Sequence, residues 1–248
     1  MNKIERLKEK AKKIRRDVFD LAVEHQIGHI APAFSCVEIL IAVYEDITDD
    51  DRFILSKGHG CLALYAVLRG RGLDPKISGH PDIDKSQGLE CTTGSLGHGL
   101  PIGVGMAFAK KIKMEKGQVY VLTGDGECQE GTVWESLLLI RKLGLDNITV
   151  IIDHNKLQAL DYINNVIGDP GFKEKFNAFG FDTVELDGHD FNELTASLDP
   201  DNNRTGKSRI IIANTIKGKG VSFMENVPGW HVRIPDGQQL QQAYRELE

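Results

Sequence analysis

No apolar run reaches the roughly 18 residues that a membrane-spanning helix needs, and no signal peptide is found at the start of the chain. A soluble protein with no membrane partner is therefore expected. The four cysteines, Cys36, Cys61, Cys91 and Cys128, include no C-x-x-C pair. That excludes a zinc cluster, and such sparse use suits the reducing cytoplasm. Basic residues are not in excess, for the net charge is −6. Nucleic acid is thereby excluded as the main partner, because phosphate backbones want a basic surface. An anionic ligand would need local help from a metal, a helix terminus or a few basic groups. No G-x-G-x-x-G opens a helix after the first strand, which argues against a Rossmann dehydrogenase. Internal repeats and low-complexity tracts are also missing.

The start of the chain is crowded with Lys3, Arg6, Lys8, Lys10, Lys12, Lys13, Arg15 and Arg16. Glu5, Glu9 and Asp17 interrupt them and serine is absent, so this is a solvated helix face rather than a transit peptide. At 248 residues, with 41% hydrophobic and 27% charged, the chain suits one globular α/β domain with a sizeable core.

Ile4, Leu7, Ala11, Ile14, Val18, Leu21 and Ala22 recur at helical spacing and predict an opening amphipathic helix. A second helix is expected near Ser35, where Ser35 and Glu38 match the S-x-x-E capping pattern. A third runs from His59 to Leu68 and stops at Gly70. Residues 81–90 read as a loop, and 99–113 as a Gly/Ala-rich helix. Apolar strands follow at Val119–Leu122, Ile148–Ile152, Thr183–Leu186 and Arg209–Ala213. Helices lie between them at Val133–Leu143, 171–179 and 191–198. The polar stretch 199–208 reads as a surface loop, and Leu240, Tyr244 and Leu247 mark a final amphipathic piece. Strands alternating with helices predict an α/β fold, a parallel sheet with helices on both faces, spanning residues 1–248 as a single domain.

The first of these strands ends in Gly124-Asp125-Gly126. Open α/β sheets bind ligands at such carboxyl ends, and flanking glycines let backbone approach an anion closely. One βαβ unit later the next strand ends at Asp153-His154-Asn155-Lys156-Leu157, so adjacent strands would bring Asp125 and Asn155 into one crevice. Hard oxygen ligands suit Mg²⁺ or Ca²⁺ bridging to a diphosphate. On its own, a glycine-flanked aspartate is more often a simple turn.

The longer stretch GDGECQEGTVWESLLLIRKLGLDNITVIIDHNKLQ resembles the thiamine-diphosphate motif, and specifically its transketolase version, with QEG after GDG and D-x-N-K near the end. The resemblance extends over nearly the whole chain and implies the diphosphate-binding fold of that family. It implies that Asp125, Asn155 and the Leu157 carbonyl hold the metal, with Gly124 and Gly126 against the diphosphate. Four histidines stand in transketolase-like settings: His29 in IGHIAPAFS, His59 in LSKGHGCLAL, His80 in SGHPDIDKSQGLECTTGSLGHG and His231 in FMENVPGWH. By resemblance His29 and His80 meet the substrate's first hydroxyls, His59 the diphosphate and reacting centre, and His231 a position near both. Gly94-Ser95-Leu96 matches the stretch that contacts the cofactor's rings. Lys217, in NTIKGKG, fits either a group near the diphosphate or a solvated lysine. Glu130 fits either the acid that links paired cofactor sites or a helix N-terminal carboxylate. His98 stands where the family usually has glutamine, and its role is open. His25, His154 and His189 carry no site role.

The same resemblance corresponds to the first domain of a full-length transketolase, and nothing matches the pyrimidine-binding domain. The expectation is therefore the N-terminal subunit of a split transketolase, assembled as a heterotetramer with a pyrimidine-binding partner chain. Its reaction would be two-carbon ketol transfer from a ketose to an aldose, on a sugar phosphate or a similarly anionic sugar. The rival enzyme readings are a deoxyxylulose-phosphate synthase or a 2-oxo acid dehydrogenase subunit, and the different-class rival is a non-catalytic stabilising subunit. GHIAPAFS, SKGHGC and TTGSLG together favour transketolase.

Overall fold

The computed structural model describes residues 1–159, 161–168, 171–199, 202 and 206–248. In chain order its regular elements begin with α1 (Lys3–His25), α2 (Ile30–Phe34), α3 (Val37–Asp46), β1 (Arg52–Leu55) and α4 (Cys61–Arg69). They continue with α5 (Gly99–Lys113), β2 (Val119–Gly124), α6 (Gly131–Leu143), β3 (Ile148–His154) and α7 (Ile163–Ile167). The last are α8 (Phe172–Ala178), β4 (Asp182–Asp187), α9 (Phe191–Leu198), β5 (Arg209–Asn214) and α10 (Gly237–Glu246).

The strands form one sheet in the order β1-β2-β3-β5-β4, and every pairing is parallel. The near-continuous apolar strands follow from burial on both faces. Along β2, Val119 and Val121 join the core under α5, α6 and α8, whereas Tyr120 and Leu122 join the core under α1 to α4. β5 divides the same way, with Ile210 and Ile212 on one side and Ile211 and Ala213 on the other. Each such valine, leucine or isoleucine side chain taken from water contributes about 1.5–3 kcal/mol. Helix α5 lies tight on the sheet: a Cβ at Gly103 would stand 2.5 Å from Val121 Cγ2. The expected α/β sheet with helices on both faces is what forms.

Two local expectations change. β1 adds a strand that the sequence pattern does not announce; four residues after an acidic run are too few to show alternation. Near Ser35 there is no capping box. Residues 30–34 form a short helix of their own, and the N-cap of α3 is Cys36. Ser35 instead hydrogen-bonds Asp153 at 2.5 Å, and Glu38 pairs with Arg15 at 2.6 Å. Both capping groups are drawn away by buried charged partners that lie far along the chain. Half of the stretch 199–208 read as a surface loop lies outside the described residues. No helix among the described residues is long and apolar enough to cross a membrane.

The register decides where chemistry can occur. Gly124 lies beside Asp153 across β2 and β3, and His154 beside Asn214 across β3 and β5. The turns that leave β2, β3 and β5 therefore open side by side at one edge of the sheet.

Candidate active site

Asp125 follows β2 and is 2% exposed. Its Oδ1 accepts from the Gly126 amide at 2.7 Å and its Oδ2 from the Lys156 amide at 2.6 Å. The carboxylate thus joins the turns after two adjacent strands. Lys156 takes a left-handed φ of 67° to make that turn. Asn155 accepts from the Leu157 amide at 3.1 Å, and its amide nitrogen reaches Asp153 at 3.4 Å. Asp125, Asn155 and Leu157 line one cleft of about 340 Å³.

The four expected histidines line the same cleft. They arrive from different parts of the chain: His29 caps α2, His59 sits in a one-turn helix after β1, His80 lies in a loop, and His231 follows the turn Pro228–Trp230. Ring centroids of His29 lie 5.8 Å from His59, 5.8 Å from His80 and 5.5 Å from His231, and His59 lies 5.3 Å from His231. Gly94 makes room for this cluster. Its φ is 144°, and a Cβ there would stand 3.2 Å from the His80 ring.

Burial, with His80 and Lys217 nearby, lowers the His29 pKa to about 4. Burial and Lys217 lower that of His231 to about 3, and His59 is also pushed well down, chiefly by burial. All three rings are neutral at pH 7. Each can then donate one hydrogen bond and accept another. Lys217 Nζ contacts His231 Nδ1 at 2.8 Å, and an ammonium can only donate, so His231 keeps its proton on Nε2. Lys217 is buried and reaches the Leu157 and Gln158 carbonyls at 3.4 and 3.1 Å. Burial, helped by Lys57, lowers its pKa to about 8.

Other expected residues differ in placement. Leu96 and Glu130 lie at the cleft edge, both exposed, and Glu130 is the N-cap of α6 without a side-chain cap bond. Ser95 does not line the cleft; its hydroxyl meets His98 Nδ1 at 3.2 Å. His98 also meets the Leu96 carbonyl, so it folds back on its own turn. His154, given no role from sequence, sits 3.2 Å from Asp125 Oδ2. His189 braces the fold: its Nε2 accepts from the Ile216 amide, leaving Nδ1 to donate to Glu38.

Sequence reasoning passed over five residues lining the cleft: Lys57, Glu127, Gln129, Gln158 and Ala159. It also passed over Asp153, which is completely buried beneath them and paired with Lys57. The motifs SKGHG and GDGE and the segment DHNK contained three of them, but a charged letter in a motif does not announce burial.

These residues fit a metal-bound diphosphate. Among the described residues no three His, Cys, Asp or Glu side chains form a metal cluster. A cation here would instead meet one carboxylate, one amide oxygen and one carbonyl, the hard donors that suit Mg²⁺ or Ca²⁺. The buried amide nitrogens of Gln129 and Gln158 have no hydrogen-bond partner and line the cleft, as an anion requires. A Cβ at Gly126 would stand 2.8 Å from Gln158 Cβ, so only glycine lets the turn after β2 pack this closely on the Gln158 segment that shares the cleft.

Residues 8–244 match the family model described as transketolase, thiamine diphosphate binding domain. The chain belongs to this transketolase family. It is 35% identical over 266 residues to an apulose-4-phosphate transketolase subunit from Phocaeicola vulgatus, covering 98% of this chain and 94% of that protein. A 6-deoxy-6-sulfo-D-fructose transketolase subunit from a Clostridium species is 31% identical over 264 residues, with 98% and 96% covered. Among solved structures, the transketolase of Campylobacter jejuni superposes with a TM-score of 0.88 at 28% identity. That match covers all of this chain but 43% of the longer transketolase. The transketolase-type cleft is thus built here from less than half the length of a one-chain relative.

Proposed function

We propose that this chain is the thiamine-diphosphate- and Mg²⁺-binding subunit of a two-chain transketolase. The convergence of His29, His59, His80 and His231 on the Asp125–Asn155 cleft carries this reading, because it joins a diphosphate cradle to proton-handling groups. When bound, thiamine diphosphate supplies the carbon nucleophile that a ketose carbonyl needs for two-carbon transfer. Asp125, Asn155 and the Leu157 carbonyl would hold its metal, and Lys217, Gln129, Gln158 and the Gly126 backbone its diphosphate. Gly94 and Leu96 would face its rings, with Ser95 between them turned to His98. His29, held neutral, and the exposed His80 hydrogen-bond the hydroxyls of an entering sugar. His231, fixed by Lys217, and His59 beside it offer neutral imidazole donors and acceptors to the reacting centre.

Relatives are named as subunits of transketolases acting on a sugar phosphate and on a sulfo-sugar, which supports an anionic ketose and a partner chain for this protein. A heterotetramer of two copies of each chain suits paired sites, with Glu130 at the cleft rim between them. The cytoplasm is the expected compartment, since all four cysteines are free. The test is ketol transfer by the chain assembled with its partner, given thiamine diphosphate, Mg²⁺, a ketose phosphate as donor and an aldose as acceptor. Asp125→Ala should abolish both activity and cofactor binding in a chain that still folds, with its thermal midpoint lowered by the loss of the acceptor for the Gly126 and Lys156 amides. Near-normal cofactor affinity in that variant would sink the metal assignment.

A further inference from the structure

Four separate segments carry the candidate site: His29 leads into α2, His59 follows β1, Asn155 follows β3 and Lys217 follows β5. One buried ion pair touches all four. Lys57 is 1% exposed and Asp153 has no exposed surface. The Lys57 ammonium donates to the Pro32 carbonyl at 3.0 Å, to Ser35 Oγ at 3.4 Å and to Asp153 Oδ2. Asp153 also accepts from Ser35 Oγ at 2.5 Å, from Thr215 Oγ1 and from Asn155 Nδ2 at 3.4 Å.

The contact with Asn155 has a chemical consequence. A carboxylate can only accept, so the amide end that faces Asp153 is the NH₂ end. The Leu157 N–H can only donate, and it meets the other end at 3.1 Å, which must be oxygen. The two constraints agree and fix one orientation of the amide. Its oxygen is then the end offered to a cation; the reverse orientation would offer two N–H groups. Lys57 meanwhile occupies Asp153, which otherwise would itself draw a cation two residues from Asn155. As a source of stability the pair is weak, since buried ion pairs are often matched by apolar residues of similar volume.

We propose that the buried Lys57–Asp153 pair is a positioning device for the cation site, holding the Asn155 amide with its oxygen toward the cleft and locking together the four segments that bear the site. This inference rests on the thiamine-diphosphate reading above. Outer groups that orient metal ligands are typically worth about 10–100-fold in metal affinity.

The test compares the parent complex with Lys57→Met, Asp153→Leu and the double variant. Two readouts are needed: the thermal midpoint, and calorimetric titration of Mg²⁺ in the presence of thiamine diphosphate. Each single variant leaves one buried charge unpaired and should be destabilised. The double variant should regain most of the lost midpoint yet bind Mg²⁺ about 10–100-fold more weakly than the parent. Lys57→Arg, which keeps the pair, should retain binding. If the double variant regains both stability and affinity, the pair is scaffold alone and the proposal is overturned. Should the double variant fail to fold, Lys57→Gln combined with Asp153→Asn decides, because it keeps the buried volume and polar groups but removes both charges and the carboxylate that can only accept from Asn155. Weakened Mg²⁺ binding there supports the proposal, and unchanged binding overturns it. A parent complex that bound no thiamine diphosphate would remove the functional reading and this inference with it.

Discussion

Side chains that bind or react and side chains that hold them are separable here by hydrogen-bond partners. His29 and His80 have no role in the buried network beneath the cleft, so their loss should spare the cofactor. His29→Ala and His80→Ala are expected to lower kcat/KM by about 10²–10⁴-fold with cofactor affinity largely unchanged. Loss of cofactor without a kinetic defect would remove them from the substrate side. The neutral imidazoles also impose a pH dependence on folding. His29 and His231 have pKa values near 4 and 3 when folded, against 6.5 for an ordinary histidine. Between pH 6.5 and about 4 the unfolded chain binds protons that the folded chain refuses, so stability must fall as the pH drops through that window. Urea midpoints of the cofactor-free protein at pH 7 and pH 5 should show it, and His29→Gln should shrink the difference. An unchanged difference would mean that His29 does not stay neutral in the fold. The histidines were legible because their surrounding motifs are long. Lys57, Asp153 and Glu127 were not, since a charged residue in a sequence carries no mark of being buried and paired.

Glu127 shows how whole elements are tied at the cleft. It is 2% exposed, and burial raises its pKa. Its carboxyl accepts from Ser56 Oγ at 2.5 Å, from the Gly97 amide at 2.8 Å and from the Gly124 amide at 3.0 Å. Those three groups lie after β1, before α5 and at the end of β2. Glu127→Ala would leave all of them without a partner in a closed space. Since a buried unsatisfied donor costs about 1–3 kcal/mol, a net loss of about 3 kcal/mol is expected after partial relaxation. Denaturant unfolding measures it, and a loss below about 1 kcal/mol would show that water or neighbouring groups replace the carboxyl. The elements themselves were mostly visible in the sequence. α5, α9 and the central strands β2, β3 and β5 announced themselves by period and by apolar runs. β1 and α2 did not: each is too short to show a period, and each is set by tertiary partners, β1 by pairing with β2 and α2 by the Ser35–Asp153 bond.

At the scale of the whole molecule, the surface is unfinished. Ile102, Phe108 and Ile112 on α5 and Leu138 and Leu139 on α6 are all exposed, and these two helices pack side by side. Clustered apolar exposure of this kind marks a surface that another protein covers. The cleft is incomplete as well: Leu96 stands half-open at its edge and Glu130 is exposed at its rim. Asp125, Asn155 and Lys217, which would hold the diphosphate end of the cofactor, are buried, whereas Leu96, which would meet its rings, is 36% exposed. The chain alone should therefore show no ketol transfer even with saturating thiamine diphosphate and Mg²⁺, and should bind the cofactor weakly. Adding the partner should raise activity and cofactor affinity together, because each binding event stabilises the other by the same factor. The two chains should co-elute on gel filtration, and thiamine diphosphate should shift that equilibrium toward the complex. Turnover by the isolated chain at the rate of the complex would refute the two-chain reading, since one wall of the cleft would then suffice.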